Sequence, residues 1–360
     1  IKEGRFGKWL ENARDWAISR NRYWGCPLPI WRNEETGETV CVGSVAELEK
    51  LTGTKVTDIH KHFVDKLTIK GASGAVLKRV PEVLDCWFES GSMPYAQKHY
   101  PFENKEAFEK GFPADFIAEG QDQTRGWFYT LTVLAAALFD KPVARNVVVN
   151  GMVLAEDGQK MSKRLRNYPD PMYIIGTYGA DALRLVLLGS PVVRAEDLKF
   201  SEDAVREVMR SVILPVWNSF SFFTTYANLD DWRSADGECK APENPSNPLD
   251  RWILSSLADM VEEIRASMDA YQLQRAANRF ETFVESLTNW YIRRSRRRFW
   301  KSQNDADKQE AYATLCYVLM TFAKAAAPFI PFITEEIHRT LRTPGMPESV
   351  HLCDFPEPET

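Results

Sequence analysis

The sequence predicts two parts, an α/β unit over residues 1–204 followed by an all-α bundle over residues 205–360. Three observations carry that division. From Pro113 the pattern runs strand, helix, strand: Ala114–Ala118 is short and apolar, Asp122–Phe139 has helical length, and Asn146–Val149 is rich in β-branched residues. Beyond Pro248, apolar residues recur every three or four positions, the stripe of helices that bury one face. Within the helical part, the stretch from Asp230 through Asp236-Gly237 to Pro242, Pro245 and Pro248 interrupts the helices and reads as a long connection.

Composition limits what these parts can be. A length of 360 residues suits two or three domains at roughly 100 to 200 residues each. Hydrophobic residues at 44%, with 11 Trp and 20 Phe, supply sizeable cores and exclude wholesale disorder. The net charge of −5 excludes a polycation that coats nucleic acid, so any such contact must come from a local patch. The longest apolar run, Val133–Phe139, is far shorter than the roughly 20 residues that span a bilayer, and no membrane partner is expected. Ile1-Lys2-Glu3-Gly4-Arg5 has neither a Met nor an apolar signal core, which reads as a segment of something longer. The six Cys, at 26, 41, 86, 239, 316 and 353, form no C-x-x-C pair; neither a zinc knuckle nor a disulfide framework is indicated, and a reducing cytoplasm fits.

Taken in order, residues 1–110 mix short apolar runs with Gly and Pro and read as strands with a hairpin, Gly25–Trp31 leading through the turn Asn33–Gly37 into Val40–Val42. The strand–helix–strand run that follows is half of an α/β nucleotide-binding unit. Asp157-Gly158 then marks a tight reversal that leads into Lys160-Met161-Ser162-Lys163-Arg164, placing both lysines on a loop. In the all-α part, Ile253, Leu257, Val261, Ile264 and Met268 form one stripe, Phe280, Val284, Leu287 and Tyr291 a second, and Leu315, Val318 and Phe322 a third; these predict packed antiparallel helices. Pro328 and Pro331 end the third long helix, and Ile333, Ile337 and Leu341 belong to a short fourth.

Two motifs carry chemistry. Glu119-Gly120-Gln121-Asp122-Gln123-Thr124-Arg125-Gly126-Trp127 lies where a strand ends and a helix begins, the place where open α/β sheets bind ligands. There the helix amides attract anions, Gly120 admits close approach, and carboxylates at 119 and 122 suit an ammonium group and a ribose diol. The same nonapeptide reads equally as a helix capped by Asp122. In the second motif, Lys160 and Lys163 are point charges on flexible stems, suited to clamping a triphosphate as pyrophosphate leaves; charge alone reads as solvated surface.

Together the two motifs resemble the distal half of a class I aminoacyl-tRNA synthetase catalytic domain, and in detail the isoleucine-specific branch. Ser19-Arg20-Asn21-Arg22-Tyr23-Trp24-Gly25, Asp85-Cys86-Trp87-Phe88-Glu89-Ser90-Gly91-Ser92 and Asn289-Trp290-Tyr291-Ile292-Arg293-Arg294-Ser295-Arg296 are also similar to that family, in the family's order. The resemblance implies a Rossmann-type half followed by an anticodon-binding bundle. It further implies ATP-dependent activation of L-isoleucine, with Mg2+ brought by the ATP, and transfer to tRNA(Ile). On it Glu119 meets the isoleucine ammonium, Gly120 and Asp122 the AMP part, and Gln123 the amino-acid end, while Trp87 and Trp127 flank the side chain. Trp87 also reads as a core residue. Asn150, Gly151 and Met152 would line the adenine, although Asn-Gly also reads simply as a turn, and Lys160 and Lys163 would hold the phosphates. Arg293, Arg294 and Arg297 are the expected tRNA contacts; the alternative is arginines stacked on rings or paired with acids such as Glu281 and Glu285. Trp217 reads as core.

The sequence departs from the family in what it lacks. The family's His-x-Gly-His signature is absent, since Ile59-His60-Lys61-His62 has no Gly, and with it the N-terminal catalytic half, the editing domain and the C-terminal extension. That missing half becomes a required partner. Where some relatives carry zinc-binding Cys pairs, this chain has Asn33, Thr36, Lys70 and Ser73, so no protein-bound metal is expected. Two other readings stay open, a valine-specific relative and a non-catalytic tRNA-binding helical module.

Overall fold

A computed structural model describes residues 2–234, 239–301 and 305–357. Asp236-Gly237 of the expected connection lies outside the described residues. Packing divides the chain into two compact units, Ile1–Val147 and Val148–Thr360.

In the first unit the predicted hairpin forms between Ile30–Arg32 and Thr39–Cys41, antiparallel with Trp31 opposite Val40. Its turn is closed by the Asn33 side chain, whose Oδ1 accepts the amides of Glu35 (3.0 Å) and Thr36 (2.8 Å), and by Gly37 at φ +70°. Val76–Arg79 and Thr68–Lys70 extend this to a four-stranded antiparallel sheet, in which alternate residues point inward. Trp31, Ile69 and Leu77 are therefore buried, with Val42, Leu48 and Val64 closing the small core. The positions Asn33, Thr36 and Ser73 fall in two turns of this sheet and Lys70 ends the strand before the second, and Glu38 reaches that second turn by accepting from the Ala72 amide and the Ser73 hydroxyl. Entry to and exit from this module are clasped as Ser19–Arg20 pairs antiparallel with Val83–Leu84.

Two further strands, Ala114–Gly120 and Ala144–Asn150, pair as neighbours with a helix between them in the sequence. That helix is shorter than expected. Residues Gln121–Arg125 wind as a 3-10 turn, Gly126 (φ −132°, ψ −110°) breaks the helical path, and the α-helix proper spans Trp127–Phe139. The expected span ran through the glycine although Asp122–Arg125 holds no apolar residue to extend the stripe. Phe128 and Leu131 on this helix are fully buried, each contributing about 1.5 to 3 kcal/mol by leaving water.

In the second unit, Val153–Leu154 and Leu198–Lys199 pair in parallel, and helices make up most of the rest. Pro248–Asp269 opens with Pro in its first turn and Asn247 capping the Leu249 amide at 3.0 Å. The expected stripes face one core: Ile253, Leu257, Val261, Ile264, Phe280, Val284, Leu287, Tyr291, Leu315, Val318, Phe322, Ile333 and Ile337 are buried, while Met268 and Leu341 are partly so. Trp217, expected in that core, stands 43% exposed. The reason is register: on Leu214–Leu229 the buried positions are Val216, Ser219, Phe220, Phe223 and Ala227, and residue 217 falls off that stripe.

Cys239 and Cys316 are joined as a disulfide, with Cα atoms 5.4 Å apart across 77 residues. The sequence had indicated no disulfide framework. The correction arises because the connection before Pro248 returns onto the helix Ala306–Ala326, a proximity that local Cys spacing does not encode. No helix among the described residues is long and apolar enough to cross a membrane.

Candidate active site

Within the first unit, the short helix Cys86–Gly91 presents Trp87. Its start is fixed by Asp85, a 2%-exposed carboxylate that caps the Trp87 amide (3.1 Å), accepts from the Trp16 indole (2.9 Å) and pairs with Arg20. Burial alone would raise the Asp85 pKa, but those donors together outweigh it and hold the carboxyl below its usual range. Further along, Glu89 accepts the Cys26 amide (2.8 Å) and the Ser90 carbonyl accepts the Trp127 indole N–H (3.1 Å). At Gly91 a Cβ would stand 2.9 Å from Leu134, so the helix beds closely on Trp127–Phe139.

The turn Glu119–Trp127 lies against this helix. Gln123 Oε1 accepts the Trp127 amide at 2.9 Å, which caps the helix after its break at Gly126, and Gln123 Nε2 donates to Asp122 at 3.3 Å. A Cβ on Gly120 would meet the Asp122 carboxylate at 2.8 Å. Glu119 and Asp122 are exposed. Trp87 is 41% exposed, which removes the core reading, and Trp127 is half-buried. The structure therefore brings Trp87, Gln123, Gly126 and Trp127 together, with Asp122 and Gly120 at one side.

Within the second unit, Asn150 ends its strand and Gly151 follows where no side chain fits, a Cβ there lying 1.8 Å from the Glu196 carbonyl. The Gly151 amide donates to Val192 O (2.7 Å) and the Met152 amide to Asp197 Oδ1 (3.1 Å), which fixes this strand end against residues 192–197. The predicted reversal is present: Gly158 at φ +82° donates to Ala155 O, and Leu154 bridges Lys160. Lys160 thus sits at a bridge, and Lys163 in the turn beyond it; both are exposed. Between them Met161 packs on the helical core, and Asn167 staples the loop by accepting the Ser162 amide (3.0 Å) and donating to Lys160 O (3.2 Å).

On the helix Arg293–Trp300 the arginines divide. Arg293, Arg294, Arg296 and Arg297 are exposed, and Arg294 stacks 4.7 Å from the Trp290 ring centroid. Arg298 is buried and bidentate on Asp250 (2.7 and 2.6 Å), where Tyr291 also donates (2.7 Å), and its Nε lies 2.8 Å from Asp307. Burial would lower the Arg298 pKa, but Asp250 raises it; burial and then Asp250 push the Tyr291 hydroxyl well up. The acids that engage this helix are Asp250 and Asp307 rather than Glu281 and Glu285.

A family profile described as tRNA synthetases class I (I, L, M and V) matches residues 1–201. The chain belongs to the class I tRNA synthetases. A second profile, the anticodon-binding domain of tRNA ligase, matches residues 250–360 of this synthetase chain. It is 58% identical to the isoleucine–tRNA ligase of Protochlamydia amoebophila and 61% identical to that of Chlamydia abortus, in each case over 99% of the chain and 34% of the relative. The synthetase chain thus spans about a third of the length of the curated relatives it matches. Among solved structures it resembles a ternary LeuRS–tRNA–LeuAMS complex from Agrobacterium radiobacter (TM-score 0.69, 22% identity, 98% of this chain and 44% of that one). It also resembles Mycobacterium tuberculosis methionyl-tRNA synthetase with methionyl-adenylate (TM-score 0.67, 18% identity, 94% of this chain and 57% of that one). At that identity the likeness speaks for the fold.

Sequence reasoning missed Asp85 as the capping and clasping carboxylate and Asn167 as the loop staple. It also missed a cleft of about 540 Å3 lined by Arg20, Arg22, Trp24, His60, Cys86 and Glu89 among others. The signal for the cleft was the Ser19–Gly25 string, which had served only as a family mark.

Proposed function

We propose that the chain is the distal part of a cytoplasmic isoleucine–tRNA ligase, with the catalytic portion over residues 1–204 and the anticodon-binding portion over 205–360. The observation that carries the choice of amino acid is the identity of 58 to 61% to isoleucine–tRNA ligases along nearly the whole chain. The arrangement around Gly126 supports the roles within it.

In this reading the isoleucine carboxylate attacks the α-phosphate of ATP, pyrophosphate leaves, and the acyl group then passes to a ribose hydroxyl at the 3′ end of tRNA(Ile). No protein nucleophile is needed, because positioning and charge stabilisation suffice. Glu119 receives the ammonium, while Asp122 and Gly120 receive the AMP ribose and backbone. Trp87 and Trp127 enclose the branched side chain, which gains only by burial, about 0.8 kcal/mol per CH2. Gln123 caps the helix that carries Trp127 and borders the amino-acid end. Asn150, Gly151 and Met152 line the adenine, and Lys160 and Lys163 neutralise the departing pyrophosphate, whose Mg2+ arrives with ATP. Arg293, Arg294 and Arg297 contact tRNA phosphates.

The test is isoleucine-dependent ATP–pyrophosphate exchange by the chain alone and with the separately expressed N-terminal half of the ligase. Exchange only after mixing is expected. A preference for valine would transfer the reading to a valine enzyme; no exchange with retained tRNA binding would leave an RNA-binding module.

A further inference from the structure

Trp87 and Trp127 enter the molecule on different helices, so the width of any slot between them depends on what separates them. That spacer is Gly126. It is buried, it directly precedes Trp127, and a Cβ built on it would lie 3.0 and 3.2 Å from two atoms of the Trp87 benzo ring and 2.8 Å from Gln123 Oε1. The Trp87 indole therefore rests on the bare backbone of residue 126, while its own amide is held from the opposite end by Asp85. Gln123 Oε1, which caps the Trp127 amide, occupies the same crowded point.

We propose that Gly126 is a positioning residue that sets the fit of the amino-acid slot: by lacking a side chain it seats the Trp87 indole, and so it governs discrimination between isoleucine and valine. The proposal rests on the reading of Trp87 and Trp127 as the walls of that slot. Adding a methyl group at residue 126 must shift the ring by a few tenths of an ångström or displace Gln123. Either movement spoils the contact made by the one methylene that distinguishes the two amino acids. A pocket can exploit such a methylene only by roughly 10- to 200-fold, isoleucine against valine being the standing example of that limit. A small misfit is enough to erode it.

The experiment uses the full-length ligase that carries this segment and measures kcat/KM for isoleucine and for valine by pyrophosphate exchange. The wild-type protein first tests the underlying reading, through its preference for isoleucine. Given that preference, Gly126→Ala is expected to lower it about fivefold or more, through a raised KM for isoleucine with the KM for ATP unchanged. Trp87→Phe removes the ring atoms that meet the new methyl, so in that background Gly126→Ala should change the preference by less than about twofold. An unchanged preference in Gly126→Ala, an equal loss for both amino acids, or additive effects in the double variant would overturn the proposal. If Gly126→Ala fails to fold, recovery of folding in Gly126→Ala/Trp87→Phe supports it. Failure of both would show that the backbone, not Trp87, demands glycine.

Discussion

Asp85 gathers partners that lie 65 and 69 residues away in the sequence, Arg20 and Trp16. Its pKa is depressed in the folded state, so its contribution to stability is present above the unfolded value of about 3.9 and is lost as the pH falls through the lower folded value. Acid titration followed by tryptophan fluorescence should therefore show unfolding of the first unit below about pH 4, and Asp85→Asn should flatten that dependence. Lys163 makes the opposite kind of prediction, because its side chain is exposed and its proposed role is confined to the transition state. Lys163→Ala in the reconstituted enzyme should lower pyrophosphate exchange by about 10²- to 10³-fold without moving the melting temperature. A retained rate would remove the loop from the mechanism. What the sequence made legible at this scale were local features: the turn at Gly158 and the loop that carries the exposed lysines. Asp85 acts through Arg20 and Trp16, partners brought close by folding that no spacing rule announces, whereas Asn167 closes its own loop across five and seven residues.

The arginine helix shows how one element serves two purposes. Its five arginines are not equivalent, since Arg298 lies against Asp250 in the core of the second unit while Arg293, Arg294, Arg296 and Arg297 are exposed. Removing Asp250 leaves that guanidinium buried without its main partner, so Asp250→Ala is expected to cost about 3 to 5 kcal/mol in thermal or denaturant unfolding. Arg294→Glu should leave stability nearly unchanged but weaken tRNA binding and reduce the slope of log K against log salt by about 1 or more. An unaltered slope would assign Arg294 to its stacking on Trp290. Helix stripes were legible because burial imposes a 3.6-residue period. The displaced Trp217 and the interrupted helix at Gly126 were not, since a composition of apolar residues does not say which of them shares the stripe or where the backbone leaves its path.

At the scale of the whole chain, an α/β part and a helical part were readable from the change of period alone. The disulfide between Cys239 and Cys316 was not, because it depends on where a long connection comes to rest. The loop of Lys160 and Lys163 adds one more consequence. Met161 packs, partly buried, against the helical core, so in the proposed reading the phosphate-binding lysines are held to the bundle through a thioether side chain. Oxidation of that sulfur to the sulfoxide makes it polar and unsuited to its seat. An aged preparation should then lose exchange activity with every lysine intact, and recover it on treatment with a methionine sulfoxide reductase, whereas Met161→Leu should age without that loss.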